Sequence, residues 1–353
     1  MYEDFGQSRS PRVAIYSQDG FGLGHMRRNN SIASQLLQML PEASVLTLSD
    51  SQLGQVFGTT GNHDYLKLPS IVKDGPGQWR ATNLSMPFAG VHAMRRDLIR
   101  SAVLTFWPDI LLVDHMPHGA MGELVPALDA LRAAGADTKI VLGLRDILDA
   151  PQVVKDRWRV EGAFETIEHY YDLVLVYGMR EVFDVAEQYY FPPNIAEKLC
   201  YCGYVCTPET ARYAARARAQ SLAGAQKGSR LIVAMAGGGA DAYPMMSGLL
   251  AALPEILAHQ PCVLVLITGP FMPAELRHDL ETRGRGLPVR VHMSVSDTLS
   301  YLEAAIWSSR WPGITLRSRS CVLANAPFSS RAPAPAQNSA PELDFSRPGS
   351  GLR

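Results

Sequence analysis

The chain has 353 residues, of which 47% are apolar and 19% charged, so it is long enough for two packed domains and is not compositionally disordered. Its 33 lysines and arginines balance 34 aspartates and glutamates, giving a net charge of −1. No net basic field therefore exists to hold a nucleic-acid backbone or an anionic membrane, and we expect no nucleic-acid partner.

Five cysteines, an odd number in a long chain, favour a reducing compartment over a disulfide framework. Cys200, Cys202 and Cys206 have the spacing C-x-C-x3-C and lack the C-x2-C pairing of zinc sites, so we predict no metal site. The polar start predicts no secretory signal. The longest apolar stretch, around Cys262 to Ile267, is far shorter than the ~18 residues of a membrane span. We expect a cytoplasmic protein without a transmembrane segment, although peripheral contact with a membrane needs no span.

From Arg12 onward, short β-branched or leucine-rich runs alternate with longer helical patterns, which is typical of parallel α/β architecture. The predicted strands are RVAIYS, SVLTLS, DYLKLP, DILLVDH, KIVLGL, DLVLVYG and KLCYCGYV. They predict one doubly wound, Rossmann-like domain over residues 11–206, after a disordered segment at 1–10.

An Ala- and Arg-rich segment at 207–228 has no strong apolar stripe and is predicted to be a linker. A second α/β domain, 229–305, follows with the strands RLIVAMA, CVLVLITG and VRVHMSV and the helices MMSGLLAALPEILAH and SDTLSYLEAA. Residues 306–353 are rich in Ser, Arg, Pro and Ala. Their apolar residues follow neither the alternation of a strand nor the period of a helix, which predicts an irregular or disordered tail. The second domain is therefore predicted to be incomplete.

A glycine-rich turn, QDGFGLGHM, joins the first strand to a helix. Gly20, Gly22 and Gly24 let backbone amides approach a ligand, and the start of a helix favours negative charge. The dinucleotide fingerprint G-x-G-x-x-G is not met, because His25 stands where the third glycine belongs when counted from Gly20. Asp50 does end the second strand near the position of the ribose acid, but the missing glycine disfavours a dehydrogenase.

An imidazole at a helix start, beside bare amides, can act as a general base near neutral pH or orient an acceptor hydroxyl. We therefore predict that His25 is the catalytic residue. The alternative is a histidine that caps the helix or contacts solvent.

A second glycine run, Gly237 to Gly239 in AMAGGGADAYP, also follows a strand and precedes a helix. It offers an amide-lined turn suited to a diphosphate, with a tight structural turn as the alternative. One such turn stands at the start of each predicted domain, and the two together favour a ligand-binding role more than either turn alone.

The segments GFGLGHMRRN, AGGGADAYP and VHMSVSDTLSYLEAA, in this order, resemble the MurG-like (family 28-like) nucleotide-sugar glycosyltransferases over residues 11–305. The resemblance implies an α/β fold of the GT-B type, with two Rossmann-like doubly wound domains, the first for the acceptor and the second for the nucleotide-sugar. It implies transfer of a hexosyl group from a nucleotide-sugar co-substrate, such as a UDP-sugar, to a hydroxyl acceptor that the sequence does not identify. No metal or other cofactor is implied, because helix dipole and backbone amides stabilise the departing diphosphate in such enzymes.

Carried over to this chain, His25 and the amides of Gly22 and Gly24 face the acceptor and the transferred sugar. The segment after the strand VRVHM resembles the stretch whose backbone contacts the nucleotide base. The matching positions on the donor side are Gly237, Gly238, Gly239, Ser294, Val295 and Ser296.

Polar residues after two other strands are further acceptor-site candidates. Asp114, His115 and His118 in LLVDHMPHG follow a strand's carboxyl end, where ligands of α/β sheets bind, although structural roles explain them equally well. Arg145 and Asp146 in LGLRDIL line the same cleft unless they form a surface ion pair.

The end of the resemblance coincides with the change in composition. MurG-like enzymes continue after this last helix with a donor-binding segment of the type DLVVSxxGxNTxxE, whereas this chain has IWSSRWPGITLRS. A back-translation of Ile306 to Leu316, with one G added before it, encodes DLVVSMAGYNT in another frame. We therefore hypothesise a frameshift, which predicts an exposed sheet edge and impaired transferase activity.

Three other functions stay open at this stage. A nucleotide-sugar epimerase shares the fold, but it needs carboxylates placed for elimination, which the sequence does not identify. The chain can also be a non-catalytic nucleotide-sugar-binding or regulatory protein, or a doubly wound protein of another function.

Overall fold

The computed structural model describes residues 10–18, 23–51, 61–75, 78–205, 220–221, 225–235, 237–295, 301, 305 and 307–310. The predicted disordered segment 1–10, linker 207–228 and tail 306–353 lie mostly outside these ranges. The bounds of the two domains therefore stay a prediction.

Residues 12–201 alternate strands and helices, as their sequence pattern predicts. In chain order the elements are β1 (Arg12–Ser17), α1 (Leu23–Met39), β2 (Ser44–Ser49), β3 (His63–Lys67), β4 (Ile71–Gly75), β5 (Gln78–Ala81), α2 (Phe88–Phe106), β6 (Ile110–Asp114), α3 (Val125–Ala133), β7 (Lys139–Arg145), α4 (Pro151–Glu161), α5 (Ala163–Tyr170), β8 (Leu173–Tyr177), α6 (Val185–Gln188), α7 (Pro193–Ala196) and β9 (Leu199–Tyr201). All seven strands predicted here are present; the strands β4 and β5 were not predicted.

Seven of these strands form one parallel sheet in the order β3-β2-β1-β6-β7-β8-β9. The sheet is apolar on both faces, since alternate residues of β1 belong to different clusters. Ala14 and Tyr16 belong to the larger cluster, whereas Val13 and Ile15 pack with Ala33 of α1. A strand covered on both faces has a continuous apolar sequence, which is why these strands are recognisable from their composition.

The direction of chain growth reverses between β1 and β6. From β1 the chain adds β2 and β3 on one side, whereas β6 pairs with the other side of β1, with Ser17 opposite Asp114. In open α/β sheets, ligands bind beside the carboxyl ends of strands at such a switch point. The turn that follows β1 and the loop that follows β6 both lie at this point.

The unpredicted strands β4 and β5 form an antiparallel hairpin. Ile71 anchors it, packing in a small buried cluster with Val91 of α2 and Ala120. The hairpin thus has a fixed position although it belongs to neither large sheet.

The second part of the chain forms a parallel sheet of four strands in the order β12-β11-β10-β13. Its elements are β10 (Arg230–Met235), α8 (Tyr243–His259), β11 (Cys262–Ile267), α9 (Ala274–Arg283), β12 (Val289–His292) and β13 (Trp307–Arg310). The three predicted strands and the first predicted helix are confirmed, while the helix SDTLSYLEAA lies largely outside the described residues. The prediction of an irregular tail from residue 306 was wrong for β13, which pairs with β10.

Cys200, Cys202 and Cys262 carry free thiols, and the first two are exposed. Cys206 and Cys321 lie outside the described residues, so the predicted absence of a metal site among the first three cysteines stays a prediction. Among the helices that the structure describes, none combines the length and the apolar character needed to cross a membrane.

Candidate active site

His25 and Asp114 meet at the switch point of the seven-stranded sheet. His25 lies in the first turn of α1, and Asp114 is the last residue of β6. The His25 Nδ1 atom is 2.7 Å from Asp114 Oδ2, although the two residues are 89 positions apart in the chain. The Asp114 side chain is fully buried, whereas that of His25 keeps 16% exposure. The histidine is therefore the member of the pair that a ligand can reach.

Three other side chains fix the Asp114 carboxylate. Arg28 donates to Oδ1 at 2.6 Å, and Asn29 and Ser17 donate to Oδ2 at 3.1 and 3.4 Å. An Arg28 nitrogen also lies 2.8 Å from His25 Nδ1. We assign the proton to His25 Nδ1, which then donates to Asp114, because two lone pairs would otherwise face each other across 2.7 Å; the Arg28 nitrogen then donates to Asp114 and not to the imidazole. His25 Nε2 then has a free lone pair.

The charges of this cluster set its protonation. Burial by itself raises the pKa of Asp114, but Arg28 and His25 outweigh it and hold that pKa well below its usual range. Burial lowers the pKa of His25, and the neighbouring Asp114 only partly opposes this. The pair therefore consists of an ionised carboxylate and a neutral imidazole near pH 7, which is the state that a general base requires.

His115 extends the cluster on its exposed side. Its ring lies 4.3 Å from that of His25, and its backbone has a positive φ of 57° while its N–H donates to the Gly143 carbonyl. Its Nδ1 is buried and has no hydrogen-bond partner. Burial, and next the nearby His25, lower the pKa of His115 well below its ordinary value. A strained residue with an unsatisfied buried nitrogen is typical of a ligand site.

His25, Asp114 and His115 also have a spacing that suits a metal ion, since one ligand atom from each lies within 4.8 Å of the others. Arg28 makes this interpretation unfavourable, because its guanidinium already neutralises the carboxylate and lies against the histidine nitrogen. A divalent ion at this position would meet that fixed positive charge. A metal-free site remains our prediction.

Arg28 is itself held by an aromatic ring at the same edge of the sheet. Its guanidinium lies 5.0 Å from the centroid of Tyr177, at the end of β8. The Tyr177 hydroxyl lies where a side chain at Gly143 would have to be placed. Glycine is thus required in the middle of β7 for Tyr177 to lie under Arg28.

A cavity of about 410 Å³ opens beside this cluster. Its walls come from the hairpin β4–β5, the loop 115–118, the end of β7 and the helix α4. The helix is fixed by Trp158, whose ring packs against Phe164 and Phe191 at 5.3 and 5.5 Å. Because His115 lines the cavity and contacts His25, a ligand in the cavity lies within one side chain of the imidazole.

The second sheet has its own loop cluster at the carboxyl ends of β10, β11 and β12. The Gly238 carbonyl accepts from Phe271 N–H at 2.9 Å, and Gly269 N–H donates to Met293 at 3.0 Å. A side chain at Gly239 would collide with the Thr268 backbone, whereas one at Gly237 would meet nothing within 4 Å. Gly239 is therefore required for packing, whereas the space beside Gly237 is open.

No protein-family model and no curated protein sequence matches the chain. Solved structures do match it: the MnaA–UDP co-structure from S. aureus has a TM-score of 0.55 at 9% identity, covering 86% of this chain and 74% of that one. UDP-GlcNAc 2-epimerase from Methanocaldococcus jannaschii has a TM-score of 0.54 at 10% identity, covering 88% and 81%. WaaG, a glycosyltransferase involved in lipopolysaccharide biosynthesis, has a TM-score of 0.52 at 17% identity, covering 84% and 74%. The chain has an α/β fold of the GT-B type. At these identities the likeness shows the fold alone.

Within this GT-B fold, the structure changes the interpretation of Asp114. Direct contact with an acceptor, which the sequence predicts, does not fit a carboxylate that is fully buried and held by four side chains. Its geometry instead suits it to orient His25. Gly24 lies in the first turn of α1, next to His25, and Gly22 lies outside the described residues.

The other acceptor-side candidates divide into two groups. His118 and Arg145 line the cavity together with His115. Asp146 does not: it is 4% exposed and accepts from the Tyr204 hydroxyl at 3.0 Å. The alternative of a surface ion pair between Arg145 and Asp146 was therefore wrong.

On the donor side, the structure describes Ser294 and Val295 but not Ser296. Ser294 is exposed after β12, whereas Val295 packs against the apolar face of β10 and β11. Asp50, the residue near the ribose-acid position of dehydrogenases, is fully buried and lies 3.3 Å from Arg95. It is therefore not placed to bind a ribose.

We expect the free energy of unfolding to fall as the pH is lowered from about 7.5 to about 5.5. His25 and His115 have lowered pKa values in the folded chain, so they stay neutral while the unfolded chain binds protons near its ordinary pKa of about 6.5. The contribution of each neutral histidine to the free energy of unfolding is fully present at pH values above that pKa. Below it, this contribution falls by at most about 1.4 kcal/mol per pH unit for each histidine. Urea unfolding across this range measures the slope.

The matched variant is His115→Asn, because asparagine tolerates the left-handed backbone at this position. It should reduce the slope, whereas His278→Asn, which removes a histidine with 71% exposure, should not. Equal slopes in the unchanged chain and in His115→Asn would contradict the prediction for His115.

Proposed function

We propose that the chain is a MurG-like glycosyltransferase that moves a hexosyl group from a nucleotide-sugar to a hydroxyl acceptor in the cytoplasm. The observation that carries the proposal is the pair of His25 and Asp114 at the switch point, beside a cavity of about 410 Å³. The similar GT-B structures add support, since MnaA was solved with UDP and WaaG is a glycosyltransferase. We infer a UDP-sugar as the donor on the same grounds.

The chemistry follows from the protonation of the pair. His25 Nε2 accepts the proton of the acceptor hydroxyl while the oxygen forms its bond to the anomeric carbon of the donor sugar. The bond between that carbon and the diphosphate oxygen breaks, and the electron pair leaves with the nucleoside diphosphate. Asp114, at 2.7 Å from Nδ1, stabilises the imidazolium that forms and keeps the ring in the productive tautomer.

For the donor we propose the loop cluster of the second sheet, with Gly237, Gly238 and Gly239 beside the diphosphate and Ser294 to Ser296 beside the base. The open space around Gly237 fits the close approach of a phosphate. Amides and helix dipole, rather than a metal, stabilise the leaving diphosphate. Gly238 and Gly239 contribute by holding this turn against the loop after β11.

We further propose that the sequence from residue 306 results from a frameshift, since the other frame encodes the donor-binding segment DLVVSMAGYNT. The strand β13 is compatible with this, because DLVVS in the restored frame supplies a more apolar strand beside β10 than WSSR does. The chain as it stands then lacks donor contacts and is a weak transferase.

The test compares the chain with a version that carries one added G before codon 306, here called the frame-restored chain. With UDP-glucose, UDP-galactose or UDP-GlcNAc and a panel of sugar acceptors, we expect acceptor-dependent release of UDP from the frame-restored chain. Release by the unrestored chain should be lower by on the order of 10²-fold or more, the cost of losing one preorganised contact to the leaving group. Sequencing of codons 300–320 in the source DNA should show the missing base.

Three outcomes would contradict the proposal in different ways. An epimerised nucleotide-sugar without free UDP would identify an epimerase. Binding of UDP-sugars without turnover, unchanged by the added base, would identify a binding or regulatory protein. A fully active, monomeric preparation of the unrestored chain would refute the frameshift and the predicted impairment together.

A further inference from the structure

The cavity beside His25 carries more positive than negative charge. Among the described residues that line it, Lys73, Arg145 and Arg157 are cationic and Glu161 is the one carboxylate. The two lining histidines do not alter this balance near pH 7, because burial lowers the pKa of both His115 and His118. The charge of the cavity therefore favours an anionic occupant.

Arg145 is the cation for which the structure supplies the least compensation. It is half-buried at the end of β7, and its Nε is buried without a hydrogen-bond partner. Among the described residues its guanidinium makes one hydrogen bond, which is long, 3.4 Å to the Leu148 carbonyl. Within the described part of the chain it forms no ion pair, because Asp114 is held by Arg28 and Asp146 bonds to Tyr204.

The other two cations differ from Arg145. Arg157 is 44% exposed and pairs with Asp149 at 2.9 Å, so solvent and a partner already stabilise its charge. Lys73 is exposed on the hairpin, and its ammonium lies 5.9 Å from the centroid of Trp79. Arg145 thus lies deepest, and it is the one of these three with a buried nitrogen that lacks a hydrogen-bond partner among the described residues.

Burial without a counter-ion has a cost for Arg145. Burial, and next the positive charge of Arg28, lower its pKa, although a guanidinium remains charged near neutral pH. A bound anion would offset this cost, since carboxylates and phosphates match the two-pronged geometry of the guanidinium.

We propose that the acceptor carries a carboxylate or phosphate group, which binds Arg145 while the reacting hydroxyl faces His25. This inference rests on the proposed function only because it identifies the molecule in the cavity as the acceptor. His115 links the cavity to His25, since it lines the cavity together with Arg145 and its ring centroid lies 4.3 Å from that of His25. The anion fixes the orientation of the acceptor, so Arg145 is a specificity-determining residue.

The experiment measures binding to the unmodified chain by calorimetry, with glucose, glucuronate and glucose 6-phosphate as probes. These share a ring and differ in the charged group. We expect at least one anionic probe to bind about 10- to 100-fold more tightly than glucose, the factor expected for a charge-assisted hydrogen bond. Arg145→Gln should remove that preference, and the stronger of the two anionic probes tells whether a carboxylate or a phosphate is recognised.

The control is Arg159→Gln, which removes one positive charge from the same helix as Arg157 but from outside the cavity. It should leave the preference unchanged, and urea unfolding of both variants checks that they are folded. An anion that binds elsewhere, such as at Gly237, is recognised because its binding survives Arg145→Gln. Equal binding of all three probes, no binding of any, or a preference that Arg145→Gln leaves intact would each overturn the proposal.

UDP is titrated into the same samples to separate this inference from the proposed function. Anion binding that depends on Arg145, without binding of UDP by the chain or its frame-restored form, would leave the anion site standing and count against a UDP-sugar transferase. Binding of UDP with equal binding of the three probes would count against the anion site at Arg145 and leave the UDP-sugar transferase standing.

Discussion

Asp114→Asn is expected to lower the acceptor-dependent release of UDP by the frame-restored chain by on the order of 10³- to 10⁴-fold. The carboxylate fixes the proton on His25 Nδ1, so that Nε2 is free to accept a proton. An asparagine amide in its place can present an N–H to the ring, which favours the opposite tautomer and leaves the imidazolium unstabilised. The measurement is the maximal rate at saturating donor across a pH series, which reports the base directly.

The carboxylate also neutralises Arg28, so Asp114→Asn can lose stability as well as activity. Removal of one partner from a buried ion pair costs about 3–5 kcal/mol. His25→Ala separates the two effects, because it removes the base and keeps the contact between Arg28 and Asp114. It should lower the rate by about 10²- to 10⁴-fold in a chain that remains folded.

Ser17→Ala is the matched control, since it removes a contact to Asp114 of only 3.4 Å. It should change the rate by a few-fold at most, about the effect of one weak neutral hydrogen bond. A folded Asp114→Asn variant with an unchanged rate and pH profile would show that the pair of His25 and Asp114 is structural.

The parallel strands could be predicted because strands covered on both faces are continuous apolar runs. The hairpin β4–β5 gives no such signal. Its sequences IVKDG and QWRA are short and half polar, and its position depends on one buried anchor, Ile71. The part of the cavity wall that the hairpin supplies, including Trp79 and Lys73, was therefore not predicted.

The candidate site could be predicted residue by residue but not as an arrangement. His25 and Asp114 each follow a strand, which identified them, but their contact depends on β1 and β6 being neighbours in the sheet. Arg28 was missed, although it stands one helical turn after His25 and its side chain lies on the same face. Spacing along α1 could have identified it, whereas its carboxylate partner follows only from the fold.

Asp114 and Arg145 show why the role of a residue is harder to predict than its presence. Both follow strands of the same sheet, yet the first is buried among donors and the second lacks a counter-ion. The pairing of Asp114 depends on a distant segment, since Asn29 stands 85 positions away, whereas Arg145 bonds only to the Leu148 carbonyl three residues on among the described residues. The sequence places both at the carboxyl edge, and only the packing distinguishes an orienting carboxylate from an unpaired cation.

A second buried charge cluster joins α2 to the loop after β6, and we predict that its disruption causes the largest loss of stability. Arg95 and Glu123 are both fully buried, and Arg95 donates to the two oxygens of Glu123 at 2.6 and 2.5 Å. Burial alone lowers the pKa of Arg95, but its bonds to Glu123 outweigh it and raise that pKa. Tyr16 donates to the same carboxylate at 2.6 Å.

Glu123→Gln should therefore destabilise the chain by about 3–5 kcal/mol, because it removes the carboxylate that pairs with Arg95 through both oxygens and leaves that buried charge with only the longer contact to Asp50, 3.3 Å. Tyr16→Phe removes one neutral donor from the same carboxylate and should cost only about 1–3 kcal/mol. Urea unfolding monitored by circular dichroism at pH 7.5 measures both variants. If Glu123→Gln costs no more than Tyr16→Phe, water or a shift of Asp50, 3.3 Å from Arg95, compensates the charge and the pair is not the main support of this region.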